Sequence, residues 1–523
     1  MGILESLINI QSLLFGVGAL IAAHHNIDQG RIAVVSPNIL ATSYPEIWAR
    51  SNSHPGYTRS KWFYRPIRYD WRMDNVFSQV DIKKHDARRK QMIPGYSGKE
   101  NLTLEADIDA CMRQMIELVR TRYAAPRGSR GRGPRPMDLA QKVQFFTLDA
   151  ISTIGFGRCF GMLADDADPD GYVAAAEAGL HNANTQMALG TWWTNWLPLV
   201  GPRFDANLAT ARGFDKMMAL SASMVEARER AFRARKEKAA AGVLDGEGGE
   251  KADMLTSFLK NGLEGAELKS EVVLQIVAGS DTTAGAIRGT LLYIFANPRV
   301  YKVLQAEIDE AVRSGFATPA AAGSDTTPAD PTHDSGADGS GGAAAESARG
   351  VISYAKARQL PYLQAVIREG LRIFPPVTDP FGRDTPPGGD TVTIGEGADE
   401  REVFLPGGVS VIPSFVAMCR DRAVFGEDAD VFRPERWLDE SDPERVAAMR
   451  RVVDLDFGHG RYLCLGKSMA MMELSKVIFE KMLIEYAVSA PETLRVGSAE
   501  PGEAVEEREL YGASLYLKPM GAG

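Results

Sequence analysis

Apolar positions recur at helical spacing along most of this chain and at strand spacing along little of it. Residues 102–123, 138–154 and 362–372 each carry the 3.6-residue period, and Pro375-Pro376 ends the last of them. A basic segment at 80–90 and a short stretch at 45–50 also read as helical, as does 465–486. Residues 270–296 are apolar nearly all round, which predicts a helix buried on most sides. Ser270 is its expected N-cap and Asn297-Pro298 its stop, giving a rod of about 40 Å at 1.5 Å per residue. Short strands are predicted at 31–36 and 38–42, split by Pro37, at 402–405 and 409–413, and near the C-terminus. Residues 56–73 are aromatic and basic without a period and read as a loop. The pattern is that of a mainly α protein with a small mixed β region.

Two places break the pattern in a way that asks for chemistry. The middle of the long apolar helix reads Ala278-Gly279-Ser280-Asp281-Thr282-Thr283, small and polar residues that lower helix propensity where burial gives no reason for them. A polar kink with internally satisfied hydroxyls is the structural alternative. The second place is Asp456-Phe457-Gly458-His459-Gly460-Arg461-Tyr462-Leu463-Cys464-Leu465-Gly466-Lys467. It sets one cysteine in a glycine-rich loop, beside an arginine and just before an apolar helix. Backbone N–H groups at that helix start favour a thiolate, and a thiolate is a strong axial ligand for haem iron. A buried structural cysteine is the alternative for a lone Cys.

Phe457, Gly460, Arg461, Cys464 and Gly466 fill every position of Phe-x-x-Gly-x-Arg-x-Cys-x-Gly, and the sequence here resembles the haem-binding loop of the cytochrome P450 family. The central-helix segment is similar to that family's Ala/Gly-Gly-x-Asp/Glu-Thr-Thr/Ser signature. Glu369-x-x-Arg372 and Pro434-Glu435-Arg436 look like its paired bracing motifs, in the right order. The resemblance covers about residue 31 to the C-terminus, and phrases such as 386–390 and 425–430 are similar to fungal, pisatin-demethylase-like members. It implies the cytochrome P450 fold, haem b (heme) with Cys464 as iron ligand, and O2 as co-substrate. Gly279 would let the flat macrocycle come close, while Asp281 and Thr282 would serve proton delivery. Phe457 and Arg461 flank the cofactor by the same resemblance. His85 and Arg89, four apart on one helix face, and Arg383 would contact haem propionates. Glu369, Arg372 and Arg436 would be structural.

Composition then narrows the partners. A net charge of −9 argues against nucleic acid, and the basic run 127–136 is short and lacks aromatics. Four scattered cysteines make no disulfide framework and fit a reducing compartment. Residues 1–25 form an apolar segment interrupted by Glu5, Asn9 and Gln11, either a membrane anchor or a helix packed on the domain. No basic stretch precedes it, which argues against a cleaved signal peptide. Residues 26–523 are expected to be one domain, interrupted at about 318–349 by a low-complexity Ala/Gly/Ser/Asp insertion. Trp192, Trp193 and Trp196 fall where the family has mobile helices over its active site.

The expected activity is a haem-thiolate monooxygenase that inserts one oxygen atom of O2 into a small hydrophobic organic substrate of secondary metabolism. Electrons would come from an NADPH-dependent reductase docking near Arg450, Arg451, Arg461 and Lys467. The resemblance implies the cytoplasmic face of the endoplasmic reticulum membrane if the N-terminal segment is an anchor, and the cytoplasm otherwise. A haem-thiolate isomerase or dehydratase, or a non-catalytic haem sensor or carrier, are the alternatives; the Asp281-Thr282 pair weighs against the isomerase, which needs no oxygen protonation.

Overall fold

A computed structural model describes residues 31–70, 72–123, 137–191, 193, 213–241, 253–316, 351–378, 380–395 and 400–480. The N-terminal segment 1–25, the basic run 127–136, Trp192, Trp196, the insertion at 318–349 and the C-terminal strands lie outside them. Trp193 is exposed.

The predicted helices are present, with ends set by contacts that a local pattern does not carry. The central helix runs Gly265–Ala296 and packs against helices Leu139–Phe156, Pro361–Ile373 and Lys467–Phe479. Asn297, at φ −122° and ψ 86°, leaves the helical region, and Pro298 opens the next helix, Pro298–Arg313. The start corrects the sequence-based expectation. Ser270 is no N-cap: it is fully buried inside the helix, which begins five residues earlier at Gly265. The Gly265 N–H donates to the carboxylate of Glu229, on helix Gly213–Ala240, so the first turn is capped by a residue far away in sequence.

Residues 56–73 are not a plain loop. They contain β3 (Thr58–Arg59) and a short helix, Lys61–Tyr64. β3 joins a five-stranded sheet with β1 (Ile32–Ser36), β2 (Ile39–Thr42), β4 (Arg383–Asp384) and β7 (Ser410–Pro413), in the order β1-β2-β7-β4-β3. β2 and β7 pair parallel, joining the start of the described chain to its last third. A hairpin of β5 (Asp390–Ile394) and β6 (Arg401–Leu405) stands beside it. Tyr44, Ile47, Val392, Ile394, Leu405 and Val411 form the small core under these strands, apart from the large helical core.

The bracing motifs do what their spacing suggested. Glu369 and Arg372, both fully buried on helix Pro361–Ile373, make two parallel hydrogen bonds of 2.8 and 2.9 Å. Arg436 Nε donates to the same carboxylate at 2.9 Å, as do the Arg433 N–H at 2.8 Å and Trp437 Nε1 at 2.9 Å. Arg372 and Arg436 spend their remaining N–H groups on the carbonyls of Cys419, Phe425, Asp428, Ala429 and Val431. Arg372→Ala would leave a buried carboxylate short of donors, and we expect a loss of about 3–5 kcal/mol, measured by urea unfolding of the haem-loaded protein.

Glu473, on helix Lys467–Phe479, is the opposite case. It is 3% exposed, its Oε2 has no partner, and burial lifts its carboxyl from 4.5 to about 8. The folded state thus holds a proton that the unfolded state has lost between those two values. Stability from this group is complete below the unfolded value and falls as pH rises, by about 1.4 kcal/mol per pH unit within the window. Glu473→Gln should therefore gain on the parent protein in thermal scans toward pH 8 and match it near pH 4; an equal offset at both would count against the assignment.

Candidate functional site

The cysteine loop is shaped by its glycines. Gly458 adopts φ +77°, and a Cβ there would lie 2.5 Å from the Tyr462 carbonyl oxygen, so no larger residue fits. Gly460, at φ +56°, lies against the backbone of Asn52. The Cys464 N–H donates to the Phe457 carbonyl at 2.7 Å, closing the loop. The N–H groups of Gly466 and Lys467, where helix Lys467–Phe479 begins, point at the sulfur and favour its thiolate, as does Arg89. Burial is the larger effect and pushes the thiol up. Cys464 nevertheless keeps accessible surface. Phe457 lies beneath Lys467, whose Nζ is 5.1 Å from the ring centre.

Beside this loop lies a group of buried cations. Arg59 and Arg383, 5% and 3% exposed, stand directly opposite each other across the β3–β4 pair. Like charges in that register repel. Among the described residues neither has a carboxylate partner, and the Nε of each is buried without a hydrogen bond. Arg59 donates to the Val76 carbonyl at 2.6 Å, while Arg383 donates to Tyr64 Oη and, at 2.9 Å, to Asn52 Oδ1. Both guanidinium groups lie over the ring of Tyr462, at 4.5 and 4.3 Å. His85 is nearby, its ring 5.1 Å from that of Tyr462. Burial and the Arg59 charge pull its pKa down to about 4, against the opposing pull of Asp86 at 2.9 Å. Burial lowers Arg59 to about 10.

Two facing buried arginines need an anion, and the carboxylates of a haem supply two. The donor set therefore fits that group: an accessible cysteine in the loop, and paired guanidiniums over Tyr462 of the same loop. Arg383 and His85 are among the residues the sequence reading named for this site; Arg59 and Tyr64 are not. Only strand pairing brings Arg59 to Arg383, 324 residues away, and no local signal reveals that. Arg89 is half-buried and close enough to Cys464 for each to influence the other's ionisation. Arg461 differs from expectation in that it pairs with Asp86 at 3.2 Å, an acid on the helix that carries His85 and Arg89.

The central helix turns different residues in different directions. Ala278 is exposed amid a buried helix, and the Thr282 hydroxyl, half-buried, donates to the Ala278 carbonyl at 2.8 Å. Asp281 points sideways. Its Oδ1 accepts from Gln144 Nε2 at 2.6 Å and from Ser280 Oγ at 3.3 Å, and Gln144 Oε1 in turn accepts from Arg288 at 2.7 Å. Burial raises the Asp281 pKa, opposed by Gln144 and Arg288. Gly279 corrects an expectation. A Cβ on it would lie 2.8 Å from Ile151 Cδ1, so its missing side chain serves close packing on helix Leu139–Phe156; the small residue on the open face is Ala278.

These features can hold a haem iron by sulfur, clamp its carboxylates and present a hydroxyl and a carboxyl from one helix. Comparison with known proteins agrees. The family model described as Cytochrome P450 matches residues 43–322 and 343–505. The chain is 37% identical over 456 residues to Cytochrome P450 monooxygenase ABA1 of Pyricularia oryzae, covering 85% of this chain and 77% of that protein. It is 30% identical over 460 residues to aba1 of Botryotinia fuckeliana, covering 86% and 78%. Pisatin demethylase of Fusarium vanettenii is more distant, at 26% over 413 residues, 77% and 66%. With both the central helix and the cysteine loop inside the matched stretches, the chain belongs to the cytochrome P450 family: it has that fold, binds haem through a thiolate, and is a monooxygenase that takes O2 and electrons from a donor reductase.

Proposed function

We propose that this monooxygenase oxidises a small hydrophobic organic substrate in fungal secondary metabolism, with Cys464 as the iron ligand and Asp281 and Thr282 as its proton-delivery pair. The observation that carries the residue assignment is accessible surface at Cys464 and Ala278, on two elements otherwise packed into one core. Haem, when bound, supplies the O2-activating iron. The chain's residues then have separate tasks. Arg59 and Arg383 hold the propionates, with His85, Arg89 and Arg461 around them. Asp281, its pKa raised by burial, would relay protons through water toward Thr282 Oγ1.

The finer likeness to pisatin-demethylase-like members rests on short phrases and a 26% identity, beside 37% for the ABA1 relative. An NADPH-dependent reductase is the proposed donor. Arg450 and Arg451 are exposed and free to meet it, while Lys467 is paired with Asp454 at 3.0 Å and Arg461 with Asp86. Lys83, Lys84 and Lys90, exposed on helix Ile82–Tyr96, extend that basic face. Residues 26–523 are proposed as one domain with an insertion at about 318–349; the gap between the two family-matched stretches, 323–342, falls inside that run. Among the described residues no helix is long and apolar enough to cross a membrane. Attachment to the endoplasmic reticulum through 1–25 is proposed from the apolar pattern of that segment alone.

Metabolite comparison between cells with the active protein and cells with Cys464→Ala would identify the substrate, and the variant should also lose the thiolate form of the reduced carbon monoxide spectrum. A normal spectrum in that variant would refute the ligand assignment. Thr282→Ala should keep the spectrum but release hydrogen peroxide in place of product. Asp281→Asn should slow turnover on the order of 10²-fold and enlarge the solvent isotope effect. Arg59→Leu should speed haem loss to a scavenger about 10- to 100-fold, the worth of one charge-assisted hydrogen bond, with the thiolate spectrum retained in the fraction still loaded.

A further inference from the structure

The loop that carries Cys464 also carries an aromatic ring where two buried cations meet. In the family signature the arginine stands two residues before the cysteine. Here Tyr462 fills that place and Arg461 stands one residue earlier. Arg461 is therefore not the arginine of that signature, and its ion pair with Asp86 at 3.2 Å fits a different task. Tyr462 closes the single 3₁₀ turn Gly460–Tyr462, whose Gly460 rests on the backbone of Asn52. Its side chain is half-buried.

Four rings surround the guanidiniums of Arg59 and Arg383. Arg59 lies 4.9 Å from the ring centre of Tyr64, 5.8 Å from that of Phe77 and 4.5 Å from that of Tyr462. Arg383 lies 5.0 Å from Trp48, 5.4 Å from Tyr64 and 4.3 Å from Tyr462. Tyr64 and Tyr462 thus serve both cations, and Tyr462 makes the shortest contact with each. Like charges facing across a strand pair repel, and the negative face of a ring offsets part of that cost, more strongly away from water. The rings differ in what carries them. Trp48 and Tyr64 sit on helices Pro45–Ser53 and Lys61–Tyr64, and Phe77 lies in the chain beyond; of the four, Tyr462 belongs to the cysteine loop. A third arginine at 462 would add to the repulsion, whereas an aromatic there lessens it. Arg59 on β3 supplies the second cation, and the loop supplies the ring that holds both.

We propose that Tyr462 is a cofactor-positioning residue whose ring registers the Arg59–Arg383 pair against the cysteine loop. The groups that receive the haem carboxylates and the sulfur that meets the iron are thereby held at one spacing. The inference rests on the reading that the two arginines receive those carboxylates. The aromatic face is what acts, and the hydroxyl is dispensable. Removing the ring frees the guanidiniums to separate, which loosens the carboxylate end of the cofactor and leaves the thiolate end as it was. His85, its ring 5.1 Å from that of Tyr462, borders the same contact.

The test measures haem transfer from the full-length loaded protein to an excess of a haem scavenger. Tyr462→Leu should lose haem about tenfold faster than the parent, the worth of two partly desolvated cation–π contacts. Tyr462→Phe should stay within about twofold of the parent. The reduced carbon monoxide spectrum should keep its thiolate form in both variants. The resonance Raman bending band of the haem propionates should shift in Tyr462→Leu and not in Tyr462→Phe. In an Arg59→Leu background the Tyr462→Leu step should shrink to about threefold, because only Arg383 remains for the ring to hold. Tyr462→Met repeats the comparison without a ring should the leucine variant fail to load. An Arg59→Leu variant that retains haem as the parent does overturns the reading of the arginines, and this inference with it. With Arg59→Leu fast, the inference alone is overturned if Tyr462→Phe loses haem as quickly as Tyr462→Leu, or if removing the ring costs the same factor with and without Arg59.

Discussion

One buried carboxylate organises the half of the molecule that carries the cysteine loop. Removing Glu369 from water together with two arginines costs several kcal/mol per ion, and only complete pairing offsets it. Here the pairing is complete: Arg372, Arg436, the Arg433 N–H and the Trp437 indole all donate to it, and both guanidiniums continue onto main-chain carbonyls between Cys419 and Val431. Those carbonyls belong to a stretch with little regular structure of its own. Charge-assisted hydrogen bonds fix it where helix packing cannot. The chain that leaves this stretch leads through helix Pro443–Asp454 to the cysteine loop.

The second set of buried charges is arranged differently. Arg59 and Arg383 face one another over the ring of Tyr462 with only neutral groups as hydrogen-bond acceptors. The Glu369 cluster takes its countercharge from the chain; the arginine pair, on the proposed reading, would take it from the carboxylates of the cofactor. The first therefore acts as framework and the second as receptor. Placing the receptor on a strand pair locks the two guanidiniums to a rigid backbone, which is what positioning a ligand requires.

Much of this was legible in the sequence wherever the determinant is local. Glu369 and Arg372 are three residues apart on one helix, and the loop motif around Cys464 is contiguous, so their spacing carries the geometry. The misreadings share a cause: a partner distant in the chain. Ser270 looked like a cap because Glu229, the acceptor for the Gly265 N–H, belongs to another helix. Residues 56–73 looked like a loop because two of them become a strand only on meeting Arg383 and Asp384. Gly279 was assigned to the cofactor because the sequence does not say that Ile151 fills the space beside it.

The same geometry explains why an acid and an alcohol stand next to each other in the middle of an apolar helix. Neighbouring residues on an α-helix point about 100° apart. Thr282 can thus lie by the exposed Ala278 while Asp281 turns toward Gln144 and Arg288. A carboxylate on the open face would place charge against an apolar substrate and lose the burial that raises its pKa. Turned aside, it stays buried and hydrogen-bonded to Gln144 and Ser280 while the Thr282 hydroxyl lies by the open face. Small residues around the pair are then a requirement: Gly279 lets helix Leu139–Phe156 come close enough for Gln144 to reach Asp281. What looked in the sequence like a weak spot in a good helix is the place where two helices must nearly touch so that one carboxyl can be both buried and partnered.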